Sequence, residues 1–145
     1  MNRTDAHKAT LEAAAPTTAI ISVTDTGSEK NRFYPQPWLK GVVELQFLDV
    51  EAGGYDCITR TQAKIIADFA RRMHKQVERF IVHCEFGQSR SAGIAAALIK
   101  YFEGHDGGIF MNKRYNPNRT CYRYVLKELQ KNWFFRLFSR QSLKK

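Results

Sequence analysis

The chain has 145 residues, 43% of them hydrophobic and 26% charged, which suits one globular domain whose core needs no disulfide or metal staple. Its 23 Lys/Arg and 14 Asp/Glu give a net charge of +9, yet residues 1–112 hold 13 of each sign and the whole excess falls in residues 113–145. This excludes a uniformly basic nucleic-acid-coating protein. The absence of an apolar run of ~18–20 residues or of a secretory leader pattern argues for a cytoplasmic chain without a transmembrane segment.

In chain order, residues 5–15 are Ala-rich and read as a short helix ended before Pro16. Thr18 to Thr24 is β-branched and apolar, the pattern of a buried strand. Asp25 to Asn31 is turn-forming, and Phe33 to Trp38 is irregular and aromatic. Gly41 to Phe47 predicts a second strand, followed by a loop over residues 49–56 with Gly53-Gly54 in it. Thr59-Arg-Thr-Gln62 is a capping-box sequence, and Ile65, Ile66, Phe69, Met73 and Val77 recur behind it at helical spacing. Arg79 to His83 predicts a short buried strand, and Ala92 to Phe102 an apolar helix. Residues 104–118 form a loop. A last helix starts near Asn118 or Thr120 and carries Tyr122, Val125, Leu126, Leu129 and Trp133. Strands alternating with helices predict an α/β fold: three layers, with a mainly parallel central sheet flanked by helices.

The segment His83-Cys84-Glu85-Phe86-Gly87-Gln88-Ser89-Arg90-Ser91 joins the third strand to its helix. A tight loop opening into a helix turns its backbone N–H groups inward, as an anion nest backed by the helix dipole. Gly87 permits the turn, and residues 85–90 become candidate substrate-binding positions. Arg90 adds a planar fork suited to a tetrahedral oxyanion. The same field favours the thiolate of Cys84, the form that attacks phosphorus. Cys57 and Cys121 read as inert. No histidine has a ligand partner at helical spacing, so neither metal nor cofactor is expected.

This string resembles the signature of the cysteine-dependent protein tyrosine phosphatases, in the dual-specificity-like branch. The similarity is closest to small bacterial tyrosine-phosphatase-like proteins, in which Phe-Asp-Asp-Val precedes a capped helix and the His-Cys loop. Here Phe47-Leu48-Asp49-Val50 stands in that place, with one carboxylate rather than two. The resemblance covers roughly residues 16–131. It makes residues 1–145 one phosphatase domain, with a basic, aromatic extension over about 132–145. It implies that Cys84 is the nucleophile, that Arg90 binds phosphate and stabilises the transition state, and that Ser91 assists departure of the thiolate. Pro117-Asn118 matches a Pro-Asn of dual-specificity phosphatases whose Asn bonds the phosphate loop, although an N-cap fits Asn118 equally well. Glu85 and Phe86 stand where phosphoinositide phosphatases carry lysines.

The leaving oxygen needs a proton donor. Asp49 follows the second strand, whose C-terminal end opens on the same sheet edge as the Cys84 loop, and is preferred to Asp56 and Glu51. His83 is expected to orient the loop and support the thiolate. Phe33, Tyr34 and Trp38 serve either the core or a pocket wall. The expected activity is hydrolysis of phosphotyrosine, with phosphoserine and phosphothreonine also open, in phosphorylated protein substrates. A phosphate-binding adaptor with little turnover and an RNA 5′-phosphatase are the alternatives. In the last helix Arg119, Arg123, Lys127 and Lys131 are four apart and share one face. With the extension they offer a docking surface for an anionic partner, or simply a solvated end.

Overall fold

A computed structural model describes residues 1–5 and 16–142, with side chains as far as Lys131. The helix predicted over residues 5–15 falls almost wholly outside the described residues, as do the side chains of the extension from residue 132 onward. Among the described residues there are three strands, β1 (Thr18–Thr24), β2 (Leu39–Gln46) and β3 (Arg79–His83), and three α-helices, α1 (Arg60–Met73), α2 (Arg90–Glu103) and α3 (Arg119–Ser142). A single 3-10 turn, Ile109–Met111, lies in the predicted loop before α3.

The sheet has the order β2-β1-β3 and is parallel throughout. The most β-branched strand thus takes the centre, where every residue of β1 is buried. Alternation along the strands separates two cores. Ala19, Ile21, Val23 and Val82 face the helices together with Ile66, Phe69, Ile94, Val125 and Leu129. Ile20 and Ile81 face the other way, against Phe33, Leu39 and Val42. Of the aromatic segment 33–38, Phe33 packs on the second core, Trp38 is buried and Tyr34 is exposed, and none of the three lines the cleft at the Cys84 loop described below.

The capping box of α1 forms as written, with Gln62 N–H donating to Thr59 Oγ1 at 3.1 Å and Thr59 N–H to Gln62 Oε1 at 2.9 Å. Ile65 departs from the expected core stripe and is 42% exposed, whereas Ala63, Ile66, Ala67 and Ala70 form the buried face. The helical pattern points correctly, but the stripe is turned toward small residues, so that α1 can lie close to α3. Arg71 on α1 ties the two together by donating to the carbonyl oxygens of Glu128 and Leu129.

A parallel sheet brings the loops after its strands to one edge. Asp25 follows β1, Phe47 and Asp49 follow β2, and Cys84 follows β3. The start of α3 reaches the same edge because Gly93 on α2 has no side chain. A Cβ there would lie 2.3 Å from the carbonyl oxygen of Asn118.

Candidate active site

The loop 84–89 wraps around the sulfur of Cys84, which is only 2% exposed. Burial alone raises a thiol pKa. Here it is outweighed by hydrogen bonds from the Ser91 hydroxyl and from the backbone N–H groups of Ser91 and Gly87, and by the charge of Arg90, so the thiol is held below its usual value. Ser91 Oγ lies 3.2 Å from the sulfur. Cys121 shows the contrast: it is equally buried, lacks those donors, and has its pKa raised by burial and by the carboxylate of Asp49.

Arg90 opens α2 and is itself 2% exposed. One end of its guanidinium is clamped. Nη1 donates to the carbonyl oxygen of Phe47 at 2.6 Å and pairs with Asp25 Oδ1 at 2.7 Å. Nε, though buried, has no hydrogen-bond partner among the described residues. A buried N–H without a partner is costly, and Arg90 lines the same cleft as Cys84. No side chain caps α2 either: the hydroxyl of its N-cap residue, Ser89, donates instead to Asp49 Oδ1 at 2.7 Å. No side chain therefore competes with an oxyanion at the start of α2, where the Ser91 N–H already serves the Cys84 sulfur.

Asp49 sits at the mouth of a cleft of about 370 Å³, lined also by Cys84, Phe86, Gln88, Arg90 and Asn118. Its Oδ1 accepts from both Ser89 Oγ and Asn118 Nδ2, the latter at 3.0 Å, which leaves Oδ2 for a proton. Asn118 plays both of the parts open to it. Its Oδ1 caps α3 by accepting from Cys121 N–H at 2.9 Å, while its Nδ2 holds the Asp49–Val50 backbone and carboxylate in place. The segment before α3 is tied to the loop through Asn116 N–H to Gln88 O, 2.9 Å, and Asn118 N–H to Ser89 O, 3.0 Å.

The other two acids have different work. Asp56 accepts a hydrogen bond from Thr26 and does not line the cleft. Glu51 is not free on a mobile loop. It accepts from the N–H groups of Arg119 and Thr120, 2.9 Å each, and from the Thr120 hydroxyl, so it caps α3 as well. Burial pushes its carboxyl up, but those bonds and the charge of Arg123 hold it below the usual range overall. That disfavours it as a proton donor near neutral pH.

Of the loop positions, Phe86 lines the cleft, whereas Glu85 and Gly87 do not. Glu85 does not line the cleft and pairs instead with Arg3, 3.7 Å away. Gly87, with φ +72°, packs on the backbone of Met1 and Asn2, where a Cβ would lie 2.6 Å from backbone atoms. Phe86 is 79% exposed at the cleft rim. His83 is fully buried beneath the loop, its Nε2 3.3 Å from the amide of Asn31 and its ring against Phe33. Burial, with the Met1 ammonium and Arg3 nearby, lowers its pKa to about 4, so it is a neutral support. Sequence reasoning missed Asp25, the Phe47 carbonyl, Asn31 and Arg3. Asp25 read as a turn residue, and a backbone carbonyl carries no sequence signal at all.

The state of His83 has a consequence for stability. A group whose folded pKa lies below its unfolded value, ~6.5, stabilises the fold fully above pH ~6.5. That contribution is lost as pH falls toward 4. The shift corresponds to about 3 kcal/mol. Denaturant titrations between pH 7.5 and 4.5 should show stability falling through this window, and His83→Gln should flatten the fall. An unchanged slope in the variant would assign it to another group.

No family model and no curated protein matches the chain. Solved structures do. Tk-PTP in its active form superimposes with a TM-score of 0.52 at 13% identity, over 79% of this chain and 80% of its own. Human DUSP28 gives 0.50 at 15% identity over 76% of each chain. PTPMT1, solved in complex with PI(5)P, gives 0.50 at 19% over 83% and 81%. The chain has the α/β fold of the tyrosine and dual-specificity phosphatases.

Proposed function

We propose that the protein is a cysteine-dependent phosphatase that hydrolyses phosphotyrosine in proteins through a phosphocysteine intermediate, with phosphoserine and phosphothreonine as further substrates. The observation that carries this reading is the pairing of a thiol held below its usual pKa with an arginine clamped at Nη1 and left unpartnered at Nε. Neither feature benefits a buried structural cysteine.

The phosphate dianion enters the loop 84–90 and takes its hydrogen bonds from Arg90 and the loop N–H groups. Cys84 Sγ forms a bond to phosphorus as the bond to the leaving oxygen breaks, and that oxygen takes the proton from Asp49. Water then attacks the phosphocysteine, giving its proton back to Asp49, while the Ser91 hydroxyl stabilises the departing thiolate. The loop N–H groups and Arg90 hold the equatorial oxygens throughout, so they stabilise charge where it redistributes. The exposed ring of Phe86 at the rim offers a face to a phenolic leaving group, which favours phosphotyrosine.

The test is a substrate panel: phosphotyrosyl and phosphoseryl peptides, inositol phosphates and 5′-triphosphate RNA, with released phosphate as the readout. Turnover of phosphotyrosyl peptides in preference to the rest is expected. Binding of all phosphates with no release would make the protein a phosphate-binding adaptor, and preferred release from RNA would make it an RNA 5′-phosphatase.

A further inference from the structure

Beside the catalytic cleft runs a second, wider groove of about 630 Å³, lined by Asp106, Phe110, Arg119, Tyr122 and Arg123. Glu51 lines both the groove and the cleft, and Arg119 directly follows Asn118, which lines the cleft. The two spaces are therefore neighbours. The groove's carboxylates are already engaged. Glu51 caps α3 through three donors, and Asp106 Oδ1 accepts from Gly108 N–H at 2.9 Å.

Its guanidiniums make no close ion pair among the described residues, although the charge of Arg123 is felt by Glu51. Among the described residues neither Arg119 nor Arg123 forms a side-chain hydrogen bond or an ion pair within 4 Å, and both residues are exposed. Arg119 is held over the ring of Phe110, 5.5 Å from its centroid, and Phe110 meets Tyr122 edge-on at 5.0 Å. A guanidinium set against an aromatic platform keeps its N–H donors directed outward at a lower entropic cost than a free side chain.

We propose that this groove is a second anion subsite, which recognises a carboxylate or a second phosphate on the residues flanking the phosphorylated one. The inference rests on the phosphatase reading and adds its substrate class: acidic or multiply phosphorylated peptides. Glu51 is shared by the two spaces, so a peptide seated in the cleft passes over Glu51 to reach Arg119 and Arg123. Its anionic side chain then takes charge-assisted hydrogen bonds from both.

The experiment compares phosphotyrosyl peptides that carry Gln, Glu or phosphoserine on either side of the phosphotyrosine. The enzymes are the unaltered protein, Arg123→Ala, Arg123→Glu and Arg123→Lys. Arg123 is chosen because it is exposed and makes no hydrogen bond that the fold needs. The unaltered protein is expected to show a lower KM for the anionic peptides, by roughly tenfold for phosphate, and the advantage should shrink as salt is raised. It should be lost in Arg123→Ala, reversed in Arg123→Glu and largely kept in Arg123→Lys, with kcat little changed. para-Nitrophenyl phosphate, too small to span both spaces, reports the catalytic cleft alone. Hydrolysis of that compound and of all the peptides with equal KM would overturn the subsite and leave the phosphatase reading standing. Absence of hydrolysis on every substrate, para-nitrophenyl phosphate included, would overturn the phosphatase reading and the subsite with it.

Discussion

Replacing Cys84 by serine is expected to lower turnover of phosphotyrosyl peptides by on the order of 10⁵-fold or more, the scale seen when a covalent nucleophile is deleted, while oxyanion binding survives. The two effects separate because they rest on different atoms. The proposed attack needs a sulfur already ionised near neutral pH, and here the Ser91 hydroxyl, two backbone N–H groups and Arg90 together overcome the opposing effect of burial. A serine hydroxyl in the same place keeps its proton. The proposed anion site consists of the loop N–H groups and the fork of Arg90, whose clamp to Phe47 and Asp25 does not involve the sulfur. Calorimetry with tungstate or phosphate should therefore find similar affinity in both proteins. Alkylation offers an independent check. Iodoacetate should modify Cys84 below the usual thiol range, phosphate should protect it, and Cys121 should stay unmodified because its thiol is buried and has its pKa raised. A serine variant that still turned over would remove the phosphocysteine from the mechanism.

The loop was readable from sequence because its chemistry is local. Strand, nest, helix and arginine lie within twelve residues, from Arg79 to Arg90, and each leaves a compositional mark. β1 and β3 were readable for a related reason: short β-branched or apolar runs have few other uses. The groups that complete the site were not readable. Asp25 lies 65 residues from the arginine it clamps, and only the sheet order β2-β1-β3 brings the two strand ends together. The Phe47 carbonyl would be present whatever residue stood there. Glu51 looked like a loop acid because its partners, Arg119 and Thr120, are 68 and 69 residues away. Ile65 failed for a different reason, since hydrophobic spacing fixes a helix face only to within about a residue, and the small side chains of α1 decided which face approached α3.

Charge followed the same division. The body that carries the Cys84 loop is electrically balanced, so the proposed phosphate binding rests on local geometry and on Arg90 rather than on net charge. The excess on α3 is displayed outward: Arg119, Arg123, Lys127 and Lys131 are all exposed, while Cys121, Val125 and Leu129 are buried. The upper end of that stripe borders the cleft, so the part of the charge nearest the chemistry can act on the substrate rather than on solubility alone.

Asp49→Asn separates proton donation from architecture more cleanly than any other substitution at the site. Ser89 and Asn118 both donate to Oδ1, and an asparagine retains that oxygen, so the loop keeps its anchors. Only the proton on Oδ2 is lost. The expected cost therefore depends on how much the leaving oxygen needs it. With phosphotyrosyl or alkyl phosphates, whose leaving groups are strong bases, kcat should fall by about 10²–10⁴-fold. With para-nitrophenyl phosphate, whose leaving group departs readily as the anion, the fall should be roughly tenfold or less by the same argument. A plot of log kcat against leaving-group pKa should steepen in the variant. Asp56→Asn should leave that slope unchanged, because that carboxylate bonds Thr26 away from the cleft. Equal losses on all leaving groups would show that Asp49 only holds the loop in place, and would move the proton donor to another group of the cleft.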